Sequence, residues 1–195
     1  MLVDLQKIFS LFLFSLLLQE GYSENAPRFS HLTVEDGLSN SSVLSTFQDY
    51  KGFIWLGTRD GLNRYDGKRI TIYRDFYKNN PKGPNVKINC IAEDKLQNLW
   101  IGTNNGLYIY NPVEDKFSII IYDYINFIFE DDEGSLWIGT TTGLYLAKAF
   151  APDKHKITYI KYEGKDKQIF QNTQCIVQKP DKQLILGSTA GFFSL

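Results

Sequence analysis

One eleven-residue block recurs along this chain, and that recurrence restricts the fold more than any other feature. Trp55-Leu-Gly-Thr-Arg-Asp-Gly-Leu-Asn-Arg-Tyr65 returns as Trp100-Ile-Gly-Thr-Asn-Asn-Gly-Leu-Tyr-Ile-Tyr110 and again as Trp137-Ile-Gly-Thr-Thr-Thr-Gly-Leu-Tyr-Leu-Ala147. A worn fourth copy, Ile185-Leu-Gly-Ser-Thr-Ala-Gly-Phe-Phe193, lies near the end of the chain. The tryptophan-equivalent positions 55, 100, 137 and 185 are spaced by 45, 37 and 48 residues. A period of that size in a β-rich chain indicates propeller blades, one small sheet per repeat.

The residues between the blocks agree. Each repeat reads as four short strands, predicted at Ser42 to Gln48, Phe53 to Thr58, Leu62 to Tyr65 and Arg69 to Tyr73 in the first copy. The second copy gives Ile88 to Glu93, Leu99 to Thr103, Leu107 to Tyr110 and Lys116 to Tyr122. The third gives Ile125 to Glu130, Leu136 to Thr140, Leu144 to Ala147 and Lys156 to Tyr162; the fourth stops after Thr173 to Gln178, Leu184 to Ser188 and Phe192 to Leu195. Asp60-Gly61 and Asn105-Gly106 offer the positive φ angles of tight hairpins. Aromatic residues make up 15% of the chain, and aromatic and β-branched side chains suit pleated, half-buried surfaces. The fold class is therefore all-β, with blades of four antiparallel strands. Arg28-Phe29-Ser30-His31-Leu32 resembles the outer strand that begins Lys116-Phe117-Ser118, and would complete the fourth sheet. Sixteen strands would then close a four-bladed ring; the alternative is part of a larger propeller.

Residues 1–23 stand apart. An uncharged run of 11 residues from Ile8 to Leu18 follows Lys7, and Gly21-Tyr22-Ser23 provides small residues before Glu24. That run is too short to span a bilayer and fits the apolar part of an export signal. The expected organisation is a signal peptide over 1–23 and a propeller over 24–195, with repeats at about 28–75, 84–122, 123–162 and 170–195.

Charge and motifs narrow the chemistry. Twenty-one basic against 22 acidic residues leave a net charge of -1, without the basic excess that a nucleic-acid surface needs. The two histidines, His31 and His155, are too few and too far apart for a catalytic triad or a metal site. No cofactor motif occurs. Cys90 and Cys175 sit at the same place in the second and fourth repeats, a whole blade apart, and are expected to be buried free thiols. The carboxylates Asp49, Asp94 and Asp131 recur six residues before each tryptophan, where they are expected to cap a turn rather than act as an acid/base pair. Recurrence at one repeat position places Trp55, Trp100 and Trp137 in blade-to-blade packing, and Gly57, Gly102, Gly139 and Gly187 at close approaches of sheets.

Meander topology puts the second-to-third turns and the blade connections on one face. This gathers Arg59, Asp60, Tyr77, Asn104, Asn105, Tyr122, Tyr124, Thr141 and Thr142 as candidate ligand-binding residues.

Phe29-Ser-His-Leu-Thr-Val-Glu-Asp-Gly-Leu-Ser-Asn40, with Gln48-Asp-Tyr-Lys-Gly-Phe-Ile-Trp-Leu-Gly-Thr-Arg-Asp-Gly-Leu-Asn-Arg-Tyr-Asp-Gly67, resembles the two-component regulator propeller repeats. Such repeats form the periplasmic sensor of hybrid two-component histidine kinases. The resemblance covers residues 28–195 and implies a periplasmic module that senses glycan breakdown products. It implies an oligosaccharide ligand, and as partners the remaining domains of a membrane sensor kinase or a dimer partner. Kinase domains are absent from these residues, so no catalysis is expected. The alternatives are a propeller-type polysaccharide lyase or glycoside hydrolase, or a truncated fragment without function. The fourth repeat departs from the pattern, with Ile185 for tryptophan and Lys179-Pro180 for the aspartate and its successor.

Overall fold

A computed structural model describes residues 30–74, 76, 86–151, 154–160 and 170–195. The chain divides into two compact units, 1–31 and 32–195, and the sheets lie in the second. The proposed export signal lies outside the described residues.

Among the described residues fifteen strands form four antiparallel meanders. The first sheet contains β1 (Val43–Gln48), β2 (Ile54–Thr58), β3 (Gly61–Tyr65) and β4 (Ile70–Tyr73). The second contains β5 (Ile88–Glu93), β6 (Leu99–Thr103), β7 (Leu107–Asn111) and β8 (Lys116–Ile121). The third contains β9 (Ile125–Glu130), β10 (Leu136–Thr140), β11 (Leu144–Ala151) and β12 (Lys154–Ile160). The fourth has three strands, β13 (Thr173–Gln178), β14 (Leu184–Ser188) and β15 (Gly191–Ser194). Each innermost strand carries a register shift after its first residues, at Val43/Ser45, Ile88/Cys90, Gly139/Thr140 opposite β9, and Thr173/Cys175. The repeat is thus reproduced down to its bulge.

Successive sheets pack face to face. Trp55 and Leu62 of the first sheet are buried against Ile88, Leu99, Ile101, Tyr108 and Tyr110 of the second. Trp100, Leu107 and Ile109 are buried against Ile125, Leu136, Ile138 and Ala147 of the third. Leu144 meets Leu186 of the fourth, with Trp137 packed alongside. Every tryptophan therefore points from its own blade towards the next. Burying an indole removes on the order of 200 Å² from water, at most roughly 5 kcal/mol each, so these side chains dominate blade-to-blade cohesion.

Two glycines show why the sheets come so close. A Cβ on Gly57 would lie 2.6 Å from Ile88 of the second blade, and one on Gly102 would lie 2.7 Å from Ile125 of the third. Hydrogen bonds reinforce the same seam. Asn89 Nδ2 donates to Ile125 O at 2.8 Å, and Asn126 Nδ2 donates to Thr173 O at 2.7 Å. Gln174, at the equivalent position of the fourth blade, turns back to Asn172 Oδ1 at 2.6 Å.

Three expectations are corrected. Ser30, His31 and Leu32 carry no strand, so the described part of the segment Arg28 to Leu32 does not complete the fourth sheet; Arg28 and Phe29 lie outside the described residues. The segment instead makes a 3₁₀ turn at Val34–Asp36, capped by Thr33, and then seats Ser39 on the first blade. There Ser39 N donates to Asn63 Oδ1 at 2.9 Å, and Asn63 Nδ2 donates to Ser39 Oγ at 2.8 Å. Second, of the two alternatives the closed ring is not formed by the described strands: no packing cluster among the described residues joins the fourth sheet to the first, and these strands form an open arc. Third, Cys175 is exposed where Cys90 is packed against the third blade. No described sheet covers the far face of the fourth blade, where Val177 is 56% and Phe192 80% exposed. The free state of both thiols is as expected.

Candidate functional site

The face that carries the second-to-third turns is built by one recurring device. Thr58 Oγ1 donates to Gly61 O at 2.9 Å, Thr103 Oγ1 to Gly106 O at 2.7 Å and Thr140 Oγ1 to Gly143 O at 3.0 Å. The same hydroxyls accept backbone N–H groups of their own turns, from Asp60, Asn105 and Thr142. The threonine of each block therefore closes its hairpin from inside. Gly61 has a φ of 107° as the tight turn requires, whereas Gly106 is not in the left-handed region; its value is room, because a Cβ there would lie 2.7 Å from Ile121 O.

The blade connections lie on this face as expected, and backbone bonds tie them to the turns. Gly61 N donates to Val86 O at 3.3 Å, Asn104 N to Lys87 O at 3.2 Å and Thr141 N to Tyr124 O at 3.1 Å. Where the four innermost strands start, they surround an open cavity of about 350 Å³. Its wall includes Asn89, Asn126 and Gln174, with Leu44 at the same repeat position in the first blade. Arg59, Lys87 and Tyr124 complete the rim.

The structure brings together only some of the predicted residues. Arg59 and Tyr124 share the cavity. Asp60 is engaged by Arg74 at 2.7 Å. Asn104 accepts Lys87 N at 2.8 Å, and Asn105 is buried within its turn. Thr141 Oγ1 donates to Asp123 Oδ1 at 2.8 Å, and Thr142 Oγ1 donates to Asp123 Oδ2. Tyr122 is exposed and does not line the cavity. Tyr77 lies outside the described residues.

Sequence reasoning missed Lys87, Asn89, Asn126 and Gln174. The signal was available, because Leu44, Asn89, Asn126 and Gln174 all stand eleven residues before the tryptophan position. It also missed Asp123. Burial raises the affinity of that carboxyl for a proton, but the hydroxyls of Thr142, Thr140 and Thr141 and the N–H of Tyr124 outweigh burial and hold it below the usual carboxylate range. Asp123 organises the turn of the third blade and is satisfied within it.

Carboxylates gather at the opposite ends of the innermost strands. Asp49, Asp94 and Asp131 each accept two backbone N–H groups of their turn, confirming their capping role. Their second oxygen also takes an indole N–H, from Trp55 at 2.8 Å, Trp100 at 2.9 Å and Trp137 at 2.9 Å. One position earlier, Glu93 accepts Tyr50 N of the preceding blade at 3.0 Å, and Gln178 accepts Asp132 N at 2.9 Å. Burial raises the proton affinity of Glu93, with the charges of Asp49, Asp94 and Glu130 adding and the Tyr50 N–H opposing. Burial likewise raises Glu130, against the opposing charge of Lys95. Among the described residues no group of three or more His, Cys, Asp or Glu side chains is arranged to hold a metal ion.

Comparison with known proteins places this geometry. The family described as two component regulator propeller matches residues 37–60, 82–105 and 120–142. Histidine kinase P4 of Formosa agariphila is 46% identical over 76 residues, which cover 38% of this chain and 5% of that protein. The extracellular domain of the proposed hybrid two component system BT4673 from B. thetaiotaomicron superposes with a TM-score of 0.69 at 21% identity, over 87% of this chain and 23% of that one. Virginiamycin B lyase from Staphylococcus aureus has a TM-score of 0.57 at 15% identity, over 82% of this chain and 57% of the enzyme. The chain thus spans under a quarter of the extracellular sensor structure and a twentieth of the kinase. Likeness at these identities to the solved structures is a likeness of fold, while each of the three matched segments contains the two inner strands of one of the first three blades. The chain carries three matches to the two-component regulator propeller repeat, each supplying the two inner strands of a propeller blade.

Proposed function

We propose that this chain is the ligand-sensing propeller portion of a hybrid two-component sensor histidine kinase, exported to the periplasm behind the leader at 1–23, and that it recognises glycan breakdown products without catalysis. The observation that carries this reading is the open cavity at the mouth of the arc. Its rim sets an aromatic ring, Tyr124, beside amides and an exposed guanidinium, Arg59, a combination suited to packing on a sugar ring while bonding its hydroxyls. The repeats and the likeness to a kinase support the same reading. So does the placement of the similar solved domains outside the cell. Among the described residues no helix is long and apolar enough to cross a membrane. Ligand capture would act by shifting blade or dimer geometry that the attached kinase domains read.

A lyase or glycosidase is the second reading, favoured by the fold shared with virginiamycin B lyase. The cavity wall weighs against it, since a general acid and base must face one cleft and the described lining residues include neither a carboxylate nor a histidine. Calorimetry over a panel of oligosaccharides tests the sensing reading. Saturable binding that Tyr124→Ala weakens is expected, with no bond cleavage in the recovered sugar. Absence of binding by every sugar in the panel, or recovery of cleaved product, overturns it.

A further inference from the structure

The charge around the cavity selects among sugars. Arg59 and Lys87 both reach its rim, and neither has a carboxylate partner among the described residues. Two acids of the described turns on this face are committed elsewhere: Asp60 is paired with Arg74, and Asp123 is held by Thr141, Thr142 and the Tyr124 N–H. Two cations therefore face a cavity whose remaining described wall is neutral, in a chain whose overall charge is slightly negative. Such a local field, opposed to the global one, attracts an anionic substituent and repels nothing the sugar carries. The wall amides are less free to choose a ligand. Asn89 and Asn126 spend an N–H on the next blade, which leaves their carbonyl oxygens as acceptors for sugar hydroxyls.

We infer that the cavity takes an oligosaccharide bearing an anionic group, a uronate carboxylate or a sulfate ester, with Arg59 and Lys87 gripping the anion and Tyr124 and the amides contacting the ring. This rests on the sensing reading above. A guanidinium suits bidentate capture of either group, and an ammonium adds a point charge. Both side chains are exposed and make no packing core, so their removal leaves the fold intact.

The test is calorimetric titration of the chain with three probes: an oligogalacturonate, a neutral galactan oligomer of the same length, and a sulfated galactan oligomer. The anionic probes are expected to bind at least about tenfold more tightly than the neutral one. Raised salt should erode that advantage. Arg59→Ala and Lys87→Ala should each remove most of it, while both variants keep the wild-type melting temperature. Which anionic probe binds better identifies the carboxylate or the sulfate. Equal binding of the neutral probe, sensitive to Tyr124→Ala but not to Arg59→Ala or Lys87→Ala, overturns the charge assignment and leaves the sensing reading standing. Tight anionic binding that neither cation variant alters overturns the site. Binding of none of the three overturns the charge assignment, and only failure across the wider sugar panel removes the sensing reading with it.

Discussion

The indole N–H of Trp100 donates to Asp94 Oδ2 at 2.9 Å, while Oδ1 of the same aspartate accepts the N–H groups of Leu96 and Asn98. One carboxylate thus closes the first turn of the blade and anchors the side chain that packs on the next blade. The first and third blades repeat the bond through Asp49 with Trp55 and Asp131 with Trp137. In the fourth blade both partners change together, to Lys179 and Ile185, and the turn is closed instead by Asp181 Oδ1, which accepts Gln183 N at 3.1 Å.

Asp94→Ala is expected to destabilise the chain by about 2–3 kcal/mol, because it orphans a buried indole N–H and two turn amides at once. Lys179→Ala should stay within about 0.5 kcal/mol of the parent, since its contacts are at the exposed surface. Urea unfolding midpoints measure both.

Gly57→Ala places a methyl against Ile88 at the first blade seam, whereas Gly187→Ala meets only Cys175 Sγ of its own sheet at 2.7 Å. Overpacking at the seam should cost about 1–3 kcal/mol. The Gly187 variant should cost less, because the exposed thiol has room to rotate. Thermal melts of the two variants give the comparison.

The third residue of each first turn after the aspartate position tests backbone strain. Gly52 and Gly134 occupy it with φ of 85° and 82°, but Gln97 and Lys182 occupy it with φ of 66° and 68°. Gly52→Ala should lose about 1 kcal/mol. Gln97→Gly should lose nothing or gain a few tenths, as relief of strain offsets the added freedom of the unfolded chain. Denaturant titration of this pair separates strain from loss of contacts.

Burial pushes the Cys90 thiol up to about 12, while Cys175 lies exposed. A thiol reagent at pH 8 should therefore label Cys175 rapidly and reach Cys90 only on unfolding. Peptide mapping of the labelled chain identifies the site, and equal labelling of both in the native state contradicts the blade assignment.

Glu93 and Glu130 make a pH-dependent contribution of definite sign. Both bind their protons more tightly in the folded chain than in the unfolded one, so folding is favoured as the pH falls towards their folded values and loses that advantage at neutrality. Glutamine serves this position in the first and fourth blades, and Gln178 still accepts the turn N–H through Oε1. Glu93→Gln should therefore stabilise the chain at pH 7 by a few tenths of a kcal/mol after solvent screening, with the gain vanishing near pH 4. Urea midpoints recorded from pH 4 to pH 7 measure it.

Strand positions were legible because each repeat position faces one environment in every blade. The innermost strands Ile88–Glu93, Ile125–Glu130 and Thr173–Gln178 fall where the apolar runs place them. What escaped the sequence depends on neighbours that a single repeat does not contain. Cys175 looks like Cys90 until the absence of a covering sheet exposes it, and Asp60 looks available until Arg74 reaches it from β4's end. The aspartate reads as a turn cap in the sequence, which it is, but its bond to an indole six residues on needs two strands in register. The cavity wall is hard to see in the sequence because an amide in an innermost strand resembles an interruption of an apolar run rather than a lining.

Three tryptophans occupy one environment in three blades, and nitrogen-15 NMR of their indole N–H groups in deuterated water tests this most directly. Three slowly exchanging indole resonances are predicted, with Asp49→Asn, Asp94→Asn and Asp131→Asn each shifting one of them and speeding its exchange. An indole that exchanges at once in the native chain, or an aspartate variant that moves none of the three, contradicts the repeated blade.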